Sequence, residues 1–225
     1  MSALEDPTAT FRAVCEELKA LEQHRPSLAL GEGLSPKGAQ TLKTILDAAY
    51  LVFVQDGHAR LSMRRVASEA GIAVGNLNYY FRSKDDLLEA MLRETLANFI
   101  GEHIRQLTDN EHDPSEALVD IVSFYVADGR KSYPFFLQLW GYAGADTTAR
   151  DLVRDLYRSI GRLVRQLIQI ANPDISEEKA TLAAVRIFSL EEGLKLLTGL
   201  EDGRSPFQDP ENLAREITSE ILQSP

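Results

Sequence analysis

The chain has 225 residues, 44% apolar and 26% charged, with a net charge of −10. This balance suits a folded protein with a buried core and excludes disorder of the whole chain. Its acidity argues against nucleic-acid binding over the entire surface, and no apolar run reaches the roughly 18 residues of a membrane span.

The N-terminal MSALEDPTATFRAV lacks the basic start and apolar stretch of a secretory signal. Cys15 is the only cysteine, so neither an internal disulfide nor a thiolate metal cluster can form. Both features point to the cytoplasm. Residues 8–24 read as a helix, with Phe11, Val14, Leu18 and Leu21 at helical spacing and Asp6-Pro7 as its start. Two prolines and two glycines make 25–36 a linker. Further helices are expected at 37–56, 62–70, 73–80, 84–107, 114–130, 134–143, 146–171, 176–198 and 209–223. Gly57, the turn cluster 109–114, and Pro134, Pro173, Pro206 and Pro210 mark the breaks. No alternating β-branched run appears, so the expected class is all-α.

Charge is uneven along the chain. Residues 37–84 hold seven Lys/Arg against three Asp/Glu, a net of +4, and the remainder carries −14. Extending the window through Arg93 lowers its charge to +2. Within it, helix 37–56 places Ile45, Ala49, Val52 and Phe53 on one face. Ser62 suits the N-cap of the next helix, whose inner residues are Val66 and Ala70. Ala67 is small enough for a close helix crossing, and Gly71 tolerates positive φ in the turn. Ile72 and Leu77 anchor the far side. This is the pattern of a helix-turn-helix, whose second helix enters the DNA major groove.

Residues 71–81 read GIAVGNLNYYF. Leu77 and Tyr80 form the inward side. Gly75, Asn76, Asn78 and Tyr79 form the other. Asparagine offers paired contacts to adenine, and Gly75 allows close backbone approach. Ser62, Tyr79, Tyr80 and Lys84 are candidate phosphate contacts. Arg64 and Arg65 complete the expected DNA-binding set.

The run LSMRRVASEAGIAVGNLNYYFRSKDDLL, residues 61–88, closely resembles the DNA-binding domain of the tetracycline-repressor (TetR) family. The shared features are the Gly-x-Leu core, the Tyr-Phe pair and the Ser-Lys-Asp-Asp-Leu that opens the next helix. The resemblance covers residues 37–90 well. It continues more loosely to the C-terminus, where residues 187–194, IFSLEEGL, look like the family's penultimate helix. Two positions depart from the pattern. Ala73 stands where the family usually has Ser or Thr, so that N-cap is lost. Asn78 stands where it usually has Tyr, so a base reader replaces a phosphate holder.

Residues 1–36 form an N-terminal extension longer than the short arm typical of the family. For the rest, the resemblance implies a three-helix DNA-binding domain over 37–84 and a larger helical ligand-binding and dimerisation domain over 85–225. It implies a homodimer on a palindromic double-stranded DNA operator, released by a small-molecule effector of unknown identity. Leu190, Leu194, Leu197, Leu213 and Ile217 are the candidate dimer contacts. Phe124, Tyr125, Phe136 and Trp140 are candidate pocket aromatics. Glu191 and Glu192, in mid-helix, face either a cationic ligand or water, and water is the preferred assignment. His103 is not read as a ligand, and the other histidines lack metal spacing. No cofactor or metal is expected, and no catalytic constellation is found. The competing reading is a helical protein-interaction adaptor that has lost operator binding.

Overall fold

The structure, a computed structural model, describes residues 31–108, 114–200 and 209–223. The expected helix 8–24, most of the 25–36 linker, the turn 109–113 and Pro206 lie outside the described residues. Every regular element among the described residues is an α-helix: α1 Pro36–Arg60, α2 Met63–Glu69, α3 Val74–Tyr80, α4 Lys84–Thr108, α5 Pro114–Ala145, α6 Thr147–Ala171, α7 Glu177–Gly199 and α8 Pro210–Gln223. None is long and apolar enough to cross a membrane.

Local chemistry explains where these helices start. Ser35 Oγ accepts the Gly38 N–H at 3.2 Å, with Pro36 at the first helical position. Ser62 Oγ accepts the Arg65 N–H at 3.2 Å. Ser83 and Asp86 cap α4 reciprocally: the Asp86 N–H donates to Ser83 Oγ at 3.0 Å, and the Ser83 N–H donates to Asp86 Oδ2 at 3.1 Å. Ser176 caps α7 through the Lys179 N–H at 3.3 Å. Helix α3 is the exception. Ala73 holds the extended cap backbone, φ −70° and ψ 144°, with no side-chain bond.

Gly57 interrupts α1 with φ 74° and ψ 168°, and one further turn follows to Arg60. The backbone region belongs almost solely to glycine, and a Cβ there, 2.8 Å from Gln138 Oε1, would also make the Gln138 amide shift.

The two helices expected at 114–130 and 134–143 are one, because α5 runs through Pro134. An interior proline costs about 3 kcal/mol. Its neighbours Tyr133, Phe135 and Phe136 are all buried, and full burial of such a side chain returns roughly 1.5–3 kcal/mol. The flanking aromatics therefore outweigh the break.

The chain forms two compact units. One holds the described residues up to Gly101 together with Phe135–Arg154; the other holds Glu102–Pro134 and the residues from Asp155 onward. In the first, Ile45, Val52 and Phe53 of α1, Val66 of α2, Leu77 of α3 and Leu87 of α4 are all fully buried. The Phe135 ring packs on Tyr50 at 5.5 Å and on Phe53 at 5.8 Å, and Tyr142 stacks on His58 at 4.5 Å. This packing carries the first unit across the boundary expected after residue 84. In the second unit, Leu118 and Val122 of α5, Leu167 of α6, Ile187 of α7 and Ala214 of α8 share one apolar core.

The α2–α3 turn is the tightest feature of the first unit. Gly71 has φ +66°. Its N–H donates to Ser68 O at 3.3 Å, and the Ile72 N–H donates to Ala67 O at 3.0 Å. This is the paired bonding of a glycine-terminated helix. Ala67 and Leu77 are fully buried on either side of it.

Two substitutions should move stability in opposite directions. Ala73→Ser should add about 0.5–2 kcal/mol by restoring the missing cap. Gly71→Val should cost at least about 1–2 kcal/mol through left-handed backbone strain. Urea denaturation of both variants checks the pair.

Candidate nucleic-acid interface

Helix α3 presents two distinct sides. Leu77 is fully buried. Tyr80 is half-buried, and its hydroxyl donates to Gly38 O at 3.3 Å, which ties the end of α3 to the start of α1. Gly75, Asn76, Asn78 and Tyr79 are exposed. At helical spacing these four form one arc opposite Leu77. Tyr79 is 76% exposed, an unusual position for a large aromatic ring without a partner surface. Its ring meets that of Tyr80 edge-on at 5.2 Å.

The remaining expected contacts divide. Arg64 is exposed and has no ion pair among the described residues. Arg65 is engaged: its Nε donates to Asp56 Oδ2 at 3.2 Å and its NH1 to Glu69 Oε2 at 2.9 Å. These bonds, to Glu69 first and then to Asp56, raise its pKa further. Lys84 is engaged too. Its Nζ donates to His58 O at 2.6 Å, where a cation suits the carbonyl end of α1. Ser62 uses its oxygen as a cap acceptor, and its hydroxyl proton stays available to a phosphate.

Two exposed cations, Lys37 and Arg82, lie outside the expected set. Lys37 precedes the Gly38 carbonyl that receives the Tyr80 hydroxyl, and Arg82 lies two residues past Tyr80. Both entered the charge count. Only the fold places them beside the two ends that this bond joins.

The four candidate pocket aromatics do not share one unit. Phe136 and Trp140 belong to the first, where Phe136 meets Phe99 at 4.9 Å and Trp140 at 6.1 Å. Phe124 and Tyr125 belong to the second. There Tyr125 takes part in a polar cluster that sequence reading did not find. Glu192 Oε1 accepts the hydroxyls of Tyr125 at 3.2 Å and of Tyr157 at 3.0 Å. Lys195 is completely buried. Its Nζ donates to the Tyr125 hydroxyl and lies 3.6 Å from Glu192 Oε2.

The assignment of Glu191 and Glu192 to water is corrected. Glu191 is buried and Glu192 is largely so, because this face of α7 turns into the unit. Burial, and secondarily the charge of Glu192, holds the Glu191 carboxyl well above its ordinary range. Burial pushes Glu192 up to about 7, opposed by the Tyr157 hydrogen bond. Burial also lowers Lys195 to about 6. The side chain of His103 lies outside the described residues.

Comparison with known proteins places this arrangement. Residues 45–91 match the family described as bacterial regulatory proteins, tetR family. The HTH-type transcriptional regulator BetI of Vibrio atlanticus is 29% identical over 177 residues, which are 76% of this chain and 82% of the relative. A regulator from Saccharomonospora viridis, solved in complex with choline, superposes with a TM-score of 0.67 at 21% identity, over 83% of this chain and 97% of its own. FadR of Bacillus subtilis, solved with stearoyl-CoA, gives 0.64 at 19% identity, over 81% and 97%. At such identities the two structures support the fold alone.

The buried carboxyl of Glu191 makes stability depend on pH. Between its ordinary value of 4.5 and its raised native value, the folded chain binds more protons than the unfolded one. Its contribution is therefore complete below 4.5 and is lost as pH rises through the native value. Lys195 acts oppositely above about 6, since the unfolded chain then holds more protons. Glu191→Gln should flatten the loss of stability on raising pH, by on the order of 1 kcal/mol per pH unit. Denaturant titrations of both proteins at pH 5.5 and 6.5, as chosen test conditions bracketing roughly this window, measure the difference.

Proposed function

We propose that this protein, a DNA-binding transcriptional regulator of the tetR family, is a dimeric repressor released from a palindromic operator by a small-molecule effector. The exposed arc Gly75, Asn76, Asn78 and Tyr79 on a helix fixed by Leu77 and Gly71 carries the operator part of this reading. Asparagines supply base-edge contacts. Arg64, Lys37 and Arg82 supply phosphate neutralisation around them.

An exposed apolar stripe on α7 supports dimerisation. Leu182, Val185, Leu196, Leu197 and Leu200 are all exposed, Val185 by 56%. Ser189 and Gly193 fall between them on the same side, and no atom approaches a Cβ built on Gly193 within 4 Å. Small residues in mid-stripe let a second helix come close. The expected contact set is divided by the fold. Leu197 belongs to the stripe, but Leu194 is buried in its own core, against which Leu190, Leu213 and Ile217 also pack. A two-fold dimer would present two α3 helices to half-sites about 34 Å, or a multiple of it, apart.

Two structural neighbours hold small molecules, which supports an effector for this chain. Such an effector acts only through its differential affinity for DNA-competent and DNA-free states.

Selection from random duplex DNA should yield a palindrome. Binding to it should fall with salt at a log–log slope of about −0.9 per phosphate contacted. Asn76→Ala and Asn78→Ala should each cost about 1–3 kcal/mol at particular base pairs and relax preference there. Equal losses on every single-base variant would remove base reading from these residues. A lack of any selected site from a well-folded dimer would favour the adaptor.

Val185→Glu should yield folded monomers with weakened operator binding. Leu194→Ala should instead lower stability by about 2–5 kcal/mol. Sedimentation equilibrium and denaturation, run on both variants, separate the seam from the core.

A further inference from the structure

Buried ionisable groups in the second unit are unequal in number. Glu191 and Glu192 bring two carboxyl groups, whereas Lys195 is the one basic residue among the described residues that is fully buried. Isolated buried charge is costly, so such groups are paired or neutralised. Glu192 is held in place by two tyrosine hydroxyls on Oε1, one from α5 and one from α6. Its other oxygen, Oε2, is buried and has no hydrogen-bond partner. Lys195 Nζ lies 3.6 Å from that oxygen and 3.5 Å from the centroid of the Tyr125 ring. An amine nitrogen thus already sits between a carboxylate and an aromatic face.

We propose that Glu192, with Tyr125 and Tyr157, forms a receptor for a small organic cation, a quaternary or protonated amine, and that the side-chain nitrogen of Lys195 is the tethered occupant this ligand displaces. The proposal rests on the reading that the chain takes a small-molecule effector, and it names that molecule's chemical class. A weakly hydrated organic cation fits better than a divalent metal. An aromatic face attracts the former strongly once it is desolvated, while Ca2+ or Mg2+ demands about six oxygen ligands.

The ligand brings the positive charge that the Glu192 carboxylate faces. Lys195 leaves the site as a neutral amine, and whatever fraction of it is protonated gives its proton to water. Burial has already lowered that amine to about 6, so the neutral form is accessible near neutral pH. The stem of Lys195 is confined on the α5 side. A Cβ built on Gly129 would meet Lys195 Cγ at 3.3 Å and its Cα at 3.4 Å. Glycine at 129 leaves the volume that this side chain fills.

Calorimetry on the full chain, with choline chloride as probe, tests the proposal. Its uncharged carbon isostere, 3,3-dimethylbutan-1-ol, is the control for shape. Choline should bind, and the isostere should bind at least roughly tenfold more weakly, the loss expected for a desolvated cation–aromatic and charge contact. Glu192→Gln should weaken choline at least roughly tenfold by removing the counter-charge. Lys195→Met should tighten it by removing the competitor. Circular-dichroism melts establish that both variants are folded. Equal binding of choline and its isostere would overturn the proposal, as would choline affinity unchanged by Glu192→Gln. So would no choline binding to either wild type or Lys195→Met. Operator binding is measured separately on the same samples. If it persists while choline fails, the cation site is overturned and the repressor reading stands. If choline binds as expected and no operator is found, the reverse holds.

Discussion

The exposed face of α3 depends on one backbone constraint, the left-handed conformation of Gly71 with φ +66°. A Cβ there would strain the chain by about 1–2 kcal/mol. With glycine, the Ile72 N–H reaches back to Ala67 O and the chain reverses within a few residues. That reversal sends Leu77 inward, and helical geometry then sends Asn76, Asn78 and Tyr79 outward. Arg65 locks α2 to α1 through Asp56, while Lys84 holds the start of α4 to the end of α1 through His58 O. A reading helix held to a fraction of an ångström needs such supports more than it needs two further phosphate contacts. The basic residues are therefore divided: some build the platform, while Arg64, Lys37 and Arg82 stay on the surface.

Helix α7 shows a comparable division around its circumference. Ala183, Ile187 and Leu194 enter the apolar core, whereas Leu182, Val185 and Leu196 face outward. Between these faces lie Glu191, Glu192 and Lys195, which are buried or largely buried. Nothing in helix packing requires two acids and a lysine there. Apolar residues of similar volume commonly stabilise a core as well or better. Departures from local consistency collect at functional sites. Tyrosines reach the Glu192 carboxylate from both α5 and α6, so this departure is supported by its surroundings.

Most of the fold was legible because its signals are local. The Ser62 cap acts within one turn, and the helical spacing of Ile45, Ala49 and Val52 needs no partner to be recognised. Gly71 and the uncapped Ala73 were also readable. What escaped depends on residues distant in sequence. Pro134 reads as a break until Tyr133, Phe135 and Phe136 are seen to be buried around it. Arg64 and Arg65 are indistinguishable until Asp56 comes within reach of one of them. Lys84 is separated by 26 residues from the carbonyl it holds. Leu194 and Leu197 share a helix and a hydropathy, yet one lies in its own core and the other outside it. Glu191 and Glu192 carry the usual mark of a solvated face, and only α5 and α6 turn that mark around.

Sequence adjacency on α7 gives the proposed cation site a physical route to the proposed dimer seam. Lys195 is fully buried, and its neighbours Leu196 and Leu197 are exposed on the apolar stripe. A helical turn is stiff, so a ligand that expels the Lys195 amine cannot repack that side chain without loading the backbone that carries the two leucines. Packed interfaces respond to such loads by switching between arrangements rather than by deforming smoothly. Coupling is also reciprocal. A cation that favours one dimer geometry must bind more weakly when operator DNA enforces the other, by the same factor that the cation weakens DNA binding. The separation of the two α3 helices and the occupancy of the Glu192 site would then be two readouts of a single equilibrium.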